Sequence, residues 1–598
     1  MSLSALLYVL CAEVLGVAIR ANSSIKGFKF NRNNEHKISQ YADDMTAYIS
    51  TIDSLKELFN LLGKYERATN AKLNVTKTEG LWIGEWEGRD DRPLNLKWTN
   101  SSVKFTGILV GNDRCQCSRQ GFASVLEKIV TKMSYWKSKF LSLKGRIKVL
   151  NIFVLSKFWY CLECQDFPKD LKKDLENLLS SFIWKDIHQR SLDVLYCDYG
   201  DGGLRLQSPE VKQNALRIRW LSDVMQSDEN SIERFLVNNL ISTHQKIKGL
   251  KVLSSVNHDK EISNTFYKNA VNSYRLMKVK YYPKDMNSIR RDWIYDNQYL
   301  LDADGKPFKP PSRFPPYAPE FICDLPVYNH PREFSMRYRN LIPKLNLALR
   351  RIVYSNSDKN EYRVQIGKNE TDLFKTSFKE VYAELMRTRK KPANIWVEKW
   401  ENDLGIKSEE WEGIWRNVHC HMLSPYVQST VWETLHRNYM CAYFAQIAFN
   451  ESNICMLCGS PQNKRTHIFI ECEVISECYS HYLSFTDLLV DIGSVNLLEK
   501  SFGLKIEKED SKQKLRNYIN FSIRHVVFRN RHRKLGNNRA VTVRNLIRKI
   551  DSFLKGDLKT KFNLALEKHS LDEFRNTYLV DGILGSADNK VLTLNNLY

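Results

Sequence analysis

Residues 38–49 read Ile-Ser-Gln-Tyr-Ala-Asp-Asp-Met-Thr-Ala-Tyr-Ile. Two adjacent carboxylates, Asp43 and Asp44, sit between two short runs rich in β-branched and aromatic residues, the pattern of a tight hairpin with both acids at its turn. Carboxylates side by side repel, so a turn that displays two of them calls for a cation. Hard ions such as Mg²⁺ take one or two carboxylate oxygens and complete their shell with water and phosphate. An Asp-Asp hairpin is therefore half of a two-metal phosphoryl-transfer site, or else an ordinary polar turn, since Asp is a common turn residue. A Tyr-x-Asp-Asp match arises by chance in roughly one chain in twenty of this length, so the flanks must decide.

The flanks are ordered. Residues 1–20 form an apolar, amphipathic helix pattern broken by Glu13, which reads as a core element and not as a signal peptide: no Lys or Arg precedes the apolar run. Asp53 and Ser54 open a second helix with Leu55, Leu58, Phe59 and Leu62 on one face. Then come Leu73-Asn74-x-x-Lys77, a strand-like Leu81-Trp82-Ile83-Gly84, and a further strand over 103–111 containing Phe105 and Gly107. Farther on lie Leu141-Ser142-Leu143-Lys144-Gly145-Arg146, Phe182-Ile183-Trp184-Lys185 and Gly202-Gly203-Leu204.

In this order the motifs resemble the reverse transcriptase of non-LTR (LINE-type) retrotransposons. The resemblance covers most of the chain, with residues 240–400 matching only loosely and Thr106 standing where a Leu is usual. It implies an α+β, predominantly helical protein: a partial palm over 1–112, a helical thumb over 113–240, a connector over 241–400, helices and a zinc-binding element over 401–485, and a basic helical region over 486–598. It implies an RNA-directed DNA polymerase with Asp43 and Asp44 as Mg²⁺ ligands, and it places Lys77 near the departing pyrophosphate. Its partners would be template RNA and target DNA. Such a polymerase needs a third carboxylate from an upstream strand, and residues 1–42 contain no Asp. Glu13 and Glu35 replace it poorly. By resemblance the chain starts within the palm, without the fingers, the first catalytic Asp or an endonuclease domain, and is expected to be inert as a polymerase on its own.

Cys455-x-x-Cys458, followed after eight residues by His467 and after four more by Cys472, is a closed set of three thiolates and one imidazole suited to structural Zn²⁺. Gly459 permits the tight turn that brings both thiolates onto one ion. LINE-type proteins carry a similar Cys-Cys-His-Cys element after the polymerase. Cys478 and His481 are spare ligands should His467 fail, and His419 lies just upstream. Cys161-x-x-Cys164 has ligand spacing but no second pair, and its aromatic neighbours suggest a packed helix.

The 598 residues carry a net charge of +22, which repels itself unless a polyanion is near, and nucleic acid is the usual one. A generic basic surface or anionic lipid is the alternative. Lys137, Lys139, Lys144 and Arg146 lie among Tyr135, Trp136 and Phe140, a mixture that suits a helix bundle gripping a duplex backbone; an amphipathic helix with its aromatics inward and its lysines in water is the alternative, and both can hold at once. Arg524, His525, Arg529, Arg531, Arg533 and Lys534 begin a second basic run that continues to Arg539, Arg544, Arg548 and Lys549, read as a helix along phosphates or else a solvated helix packed on its neighbour. This supports a second hypothesis, a nucleic-acid-binding zinc protein without catalysis. A third is a protein-binding scaffold. The odd count of 13 scattered cysteines points to a reducing compartment, nuclear or cytoplasmic, not to secretion. No stretch reaches the length of a membrane span. The Pro-rich segment 306–316 can be neither helix nor central strand.

Overall fold

The computed structural model describes residues 3–30, 35–42, 44–184, 191–228, 231–241, 262, 264–281, 303–306, 308, 362–389, 395–439, 441–450, 452–486, 501–503, 510–530, 542–588 and 591–596. Apart from Lys306 and Phe308, the Pro-rich segment lies outside them. The described residues are predominantly helical with small sheets of two or three strands, an α+β arrangement. They divide into two compact units: residues 1–128, 157–173 and 209–389 in the first, and 129–156, 174–208 and 390–598 in the second.

In the first unit the Asp-Asp segment is a hairpin. Strands Ile38–Tyr41 and Asp44–Ala47 pair antiparallel, with Tyr41 opposite Asp44 and Ile38 opposite Ala47. Ala42 turns the chain at φ +53°. The hairpin is held from one side by the Leu3–Ala21 and Ile52–Thr69 helices, where Leu15, Ile19, Ile25, Ile38 and Leu58 form a small core. Thr51 caps the second helix by accepting from Ser54 N–H. Lys37, buried between the elements, donates its ammonium to the carbonyls of Arg20 (3.1 Å) and Asn22 (2.8 Å), in and just past the last turn of the first helix, where a cation is favoured.

Two expectations change here. The Leu3–Ala21 helix is only half a core element: Leu15 and Ile19 are buried, while Leu7, Leu10 and Val14 face solvent in this unit. The segment over 103–111 is not one strand but a second hairpin, Ser102–Phe105 against Ile108–Gly111. Thr106 and Gly107 both have positive φ, the left-handed geometry of a two-residue hairpin turn that glycine accepts freely.

A second core of the first unit gathers around the Pro209–Gln226 helix. The Thr265–Leu276 and Phe378–Thr388 helices and the Tyr362–Ile366 strand pack on it through residues such as Ile218, Leu221, Tyr274, Val364 and Val381. The fully buried Arg217 lies 3.7 Å above the Phe266 ring and 3.4 Å from Asp166.

The second unit is built around the Ser511–Asn530 helix, buried on nearly all sides from Leu515 to Val527. The Pro425–Leu435, Glu473–Thr486, Val543–Glu567 and Leu571–Tyr578 helices pack on it. Here the 141–146, 182–184 and 202–204 segments lie together. Ser142 caps the Leu143–Val149 helix through Gly145 N–H at 3.0 Å. Trp184 stacks near Trp432, whose indole N–H donates to the Gly202 carbonyl at 2.8 Å. Gly202 and Gly203 have steric reasons to be glycine: a Cβ on Gly202 would lie 2.7 Å from the Trp415 ring, and one on Gly203 only 1.9 Å from the Cys197 carbonyl oxygen.

Candidate metal centre and cationic surfaces

The Cys/His residues converge in the second unit. Ile454 and Pro461 form an isolated bridge, and Cys455 N–H donates to the Ser460 carbonyl at 2.8 Å. Gly459, at φ +76°, turns the chain between them and returns its N–H to the Cys455 carbonyl at 2.9 Å. The backbone N–H groups of Leu457 and Cys458 point at the Cys455 sulfur. This knuckle supplies two ligands. His467 opens a one-turn helix, and Cys472 lies immediately before the Glu473–Thr486 helix, its N–H bonded to the His467 carbonyl at 2.8 Å. The Ile475 N–H in that first turn points at the Cys472 sulfur.

One ligand atom from each of the four residues lies within 4.8 Å of every other. A tetrahedron of Zn–S bonds has edges of about 3.8 Å, and the Cys458 Sγ to His467 Nε2 separation of 3.3 Å is close to the edge expected for a mixed S and N pair. Cys455 and Cys472 are fully buried, His467 nearly so, and Cys458 is half-buried. No cysteine of the set is in a disulfide. The electrostatics suit a cation. The bond from the Cys472 thiol, helped by His467 and two backbone N–H groups, pushes the Cys455 thiol well below its ordinary value. The Cys455 and Cys458 sulfurs raise His467 to about 9, while the same pairing and burial push the Cys472 thiol up. A divalent ion replaces the protons that closely packed thiols share with an imidazole. The four residues therefore could hold Zn²⁺. Among the described residues this is the one group of three or more Cys, His, Asp or Glu gathered closely enough to hold a metal.

The spare ligands have other surroundings. Cys478 is buried within the Glu473–Thr486 helix, its thiol pushed up to about 12 by burial. His481 lies edge-on to Tyr482. His419 packs on Tyr199 at 4.1 Å, and burial with the Lys144 and Arg205 charges lowers it to about 3. Cys161 and Cys164 fall in the short Trp159–Cys164 helix.

Asp43 lies outside the described residues. Asp44 begins the second hairpin strand and is exposed. Lys77 is exposed at the end of a one-turn 3-10 helix capped by Asn74, whose side chain accepts from Lys77 N–H at 3.2 Å. Glu35 is engaged by Gly27 N–H at 2.8 Å and Lys37 at 3.7 Å, and Glu13 pairs with Arg20.

The basic residues separate by environment. Lys137 and Lys139 face solvent. Lys144 is half-buried, with its ammonium 2.5 Å from Gln428 Oε1 and 5.0 Å from the Tyr199 ring centroid. Burial, then Lys148 and Arg205, lowers its pKa. Arg146 donates to the Ile183 carbonyl at 2.5 Å. Arg529 is exposed at the end of its helix, while Arg531, Arg533 and Lys534 fall outside the described residues. Upstream in that helix the expectation of a phosphate-facing surface is corrected: Arg524 and His525 are buried, Arg524 against Thr434 and His525 bonded to Thr430 Oγ1 at 2.7 Å. The helix is enclosed by neighbours, so its cations meet side chains there. Gln428 and Trp432, which tie these motifs together, carry no local signal in the sequence.

No helix among the described residues is long and apolar enough to cross a membrane. No protein-family model matches the sequence. Over 195 residues, 32% of this chain, it is 25% identical to the "Transposon TX1 uncharacterized 149 kDa protein" of Xenopus laevis. The matched part spans 15% of that protein's length, so what the chain shares with it is a distant similarity to a segment of a transposon protein.

Proposed function

We propose that this chain is a zinc-stabilised, nucleic-acid-binding part of a LINE-type retrotransposon reverse transcriptase, acting on RNA and DNA. The observation that carries the reading is the excess of 22 positive charges, 90 Lys and Arg against 68 Asp and Glu, in a chain similar to a transposon protein. In this reading residues 1–112 are part of a palm, 113–240 a thumb and 241–400 a connector, and Cys455, Cys458, His467 and Cys472 bind Zn²⁺. Lys137, Lys139 and Arg529 present their charge to phosphates. Arg531, Arg533 and Lys534 continue that role by sequence. Lys144 and Arg146 brace the surface from behind through Gln428 and Ile183. Retention of structured RNA and of duplex DNA on a filter, with anionic vesicles as a competing polyanion, tests this. Failure to retain either nucleic acid contradicts it.

For catalysis, Mg²⁺ held by Asp43 and Asp44 would polarise phosphates. Asp44 and Lys77 are both exposed, and among the described residues Asp44 belongs to no group of three or more side chains gathered closely enough to hold a metal. These 598 residues by themselves are therefore proposed not to extend a primer. Primer extension with Mg²⁺ or Mn²⁺ settles the point: incorporation well above an Asp44→Ala control contradicts it. Binding without catalysis is the reading the exposed lysines favour.

A further inference from the structure

From Ile129 to Ser156 the chain carries six Lys or Arg and no Asp or Glu. Lys137, Lys139 and Lys148 are exposed. Among them stand aromatic rings of a kind that folded surfaces usually hide: Phe140 is 93% exposed, Tyr135 60% and Phe153 44%. Phe153 reaches the surface from a π-helical turn, Leu150–Val154, whose first and last residues are buried. Trp136 stacks on Phe153 with centroids 5.3 Å apart, and the Lys139 ammonium lies 4.8 Å from the Tyr135 ring centroid.

The backbone beneath Phe140 is fixed. Lys139 N–H donates to the Trp136 carbonyl at 3.1 Å and Leu141 N–H to the Lys139 carbonyl at 3.0 Å. The Tyr426 hydroxyl donates to the Phe140 carbonyl at 2.5 Å. A ring projected from a tethered backbone is a preorganised contact, which lowers the ordering cost of binding.

Phosphate contact alone has no use for these rings. A duplex keeps its base faces inside the stack, whereas an unpaired strand offers both faces and phosphates in alternation. The rings here are interspersed with cations and not gathered on one apolar face, which suits alternating base and phosphate better than lipid hydrocarbon. We propose that this corner of the second unit binds single-stranded nucleic acid, with unpaired bases stacked on Phe140 and Tyr135 and phosphates paired with Lys137, Lys139 and Lys148. The proposal rests on the nucleic-acid-binding reading above and narrows it to unpaired strands.

Fluorescence anisotropy of the full chain with an oligouridylate, a duplex RNA of the same length and anionic phosphatidylserine vesicles tests it. The wild-type chain should prefer the single strand. Phe140→Ala should weaken that binding by about 5- to 150-fold, the worth of one stacked base, while leaving duplex affinity and the salt slope unchanged. Phe140→Trp should restore it. Because the ring is exposed, the variant keeps its fold, checked by zinc content and circular dichroism. Lys137→Gln with Lys139→Gln should weaken both nucleic acids and flatten the salt slope. Unchanged single-strand binding by Phe140→Ala and Tyr135→Ala, with the lysine variants weakened, overturns stacking but leaves nucleic-acid binding standing. Equal affinity for strand and duplex overturns the single-strand preference. Binding to vesicles and to neither RNA overturns both readings.

Discussion

At the scale of single residues, the Cys/His set was the part of the site most legible in the sequence. Its four ligands are close in the chain, and thiolate and imidazole at that spacing have few other uses. Cys472→Ser should reduce bound zinc from one ion per chain to a small fraction of one, read by elemental analysis, and open the knuckle, since such sites contribute on the order of 10 kcal/mol to folding. Zinc retained in full would show that Cys472 is not a ligand. The glycines at 202 and 203 could be quoted from the sequence but not explained there. Their neighbours are the Cys197 carbonyl and the Trp415 ring, the latter more than two hundred positions away in the chain. Gly203→Ala should cost about 1–3 kcal/mol in a urea titration, because the obstructing atom is backbone and cannot swing aside. Trp432→Phe keeps most of the apolar volume but leaves the Gly202 carbonyl without its indole donor, and should cost about 1–2 kcal/mol.

At the scale of elements, period and turn chemistry located the Asp-Asp hairpin and its two helices, because local pattern decides them. The Ser102–Gly111 segment was misread as one strand, since a two-residue turn interrupts its apolar pattern too briefly to be heard. The Ser511–Asn530 helix was harder. Its Arg524 and His525 were read as part of a phosphate-facing run, yet tertiary packing closes over them, and a helix buried on nearly all sides shows no clean amphipathic stripe. His525 makes this testable by pH. Burial, then Arg529, lowers it to about 4 from an ordinary 6.5, so it is neutral in the fold. Between those values the unfolded chain binds more protons than the folded one. The stability is therefore fully present above pH 6.5 and is lost as pH falls toward 4. The expected loss between pH 7 and pH 5 is about 2 kcal/mol, and His525→Asn should flatten that limb of the urea-midpoint profile. A profile as steep in the variant as in the parent would assign the acid sensitivity to other groups.

At the scale of the whole molecule, each compact unit has its own core, assembled from segments far apart in the chain. The Pro209–Gln226 helix, for instance, packs with pieces beyond residue 260. Such long-range pairing is invisible to a reading by local pattern. Composition spoke more clearly about partners. In the reading proposed above, a chain this cationic, with an acid-free stretch that bears exposed lysines, relieves its own repulsion on a polyanion. The measurement that tests this most directly is the affinity of the full chain for a structured RNA across a series of salt concentrations. The plot of log K against log salt should fall steeply and linearly, by about 0.7–0.9 for each phosphate neutralised and hence by several in total. A flat plot, or no measurable binding at low salt, would contradict the account.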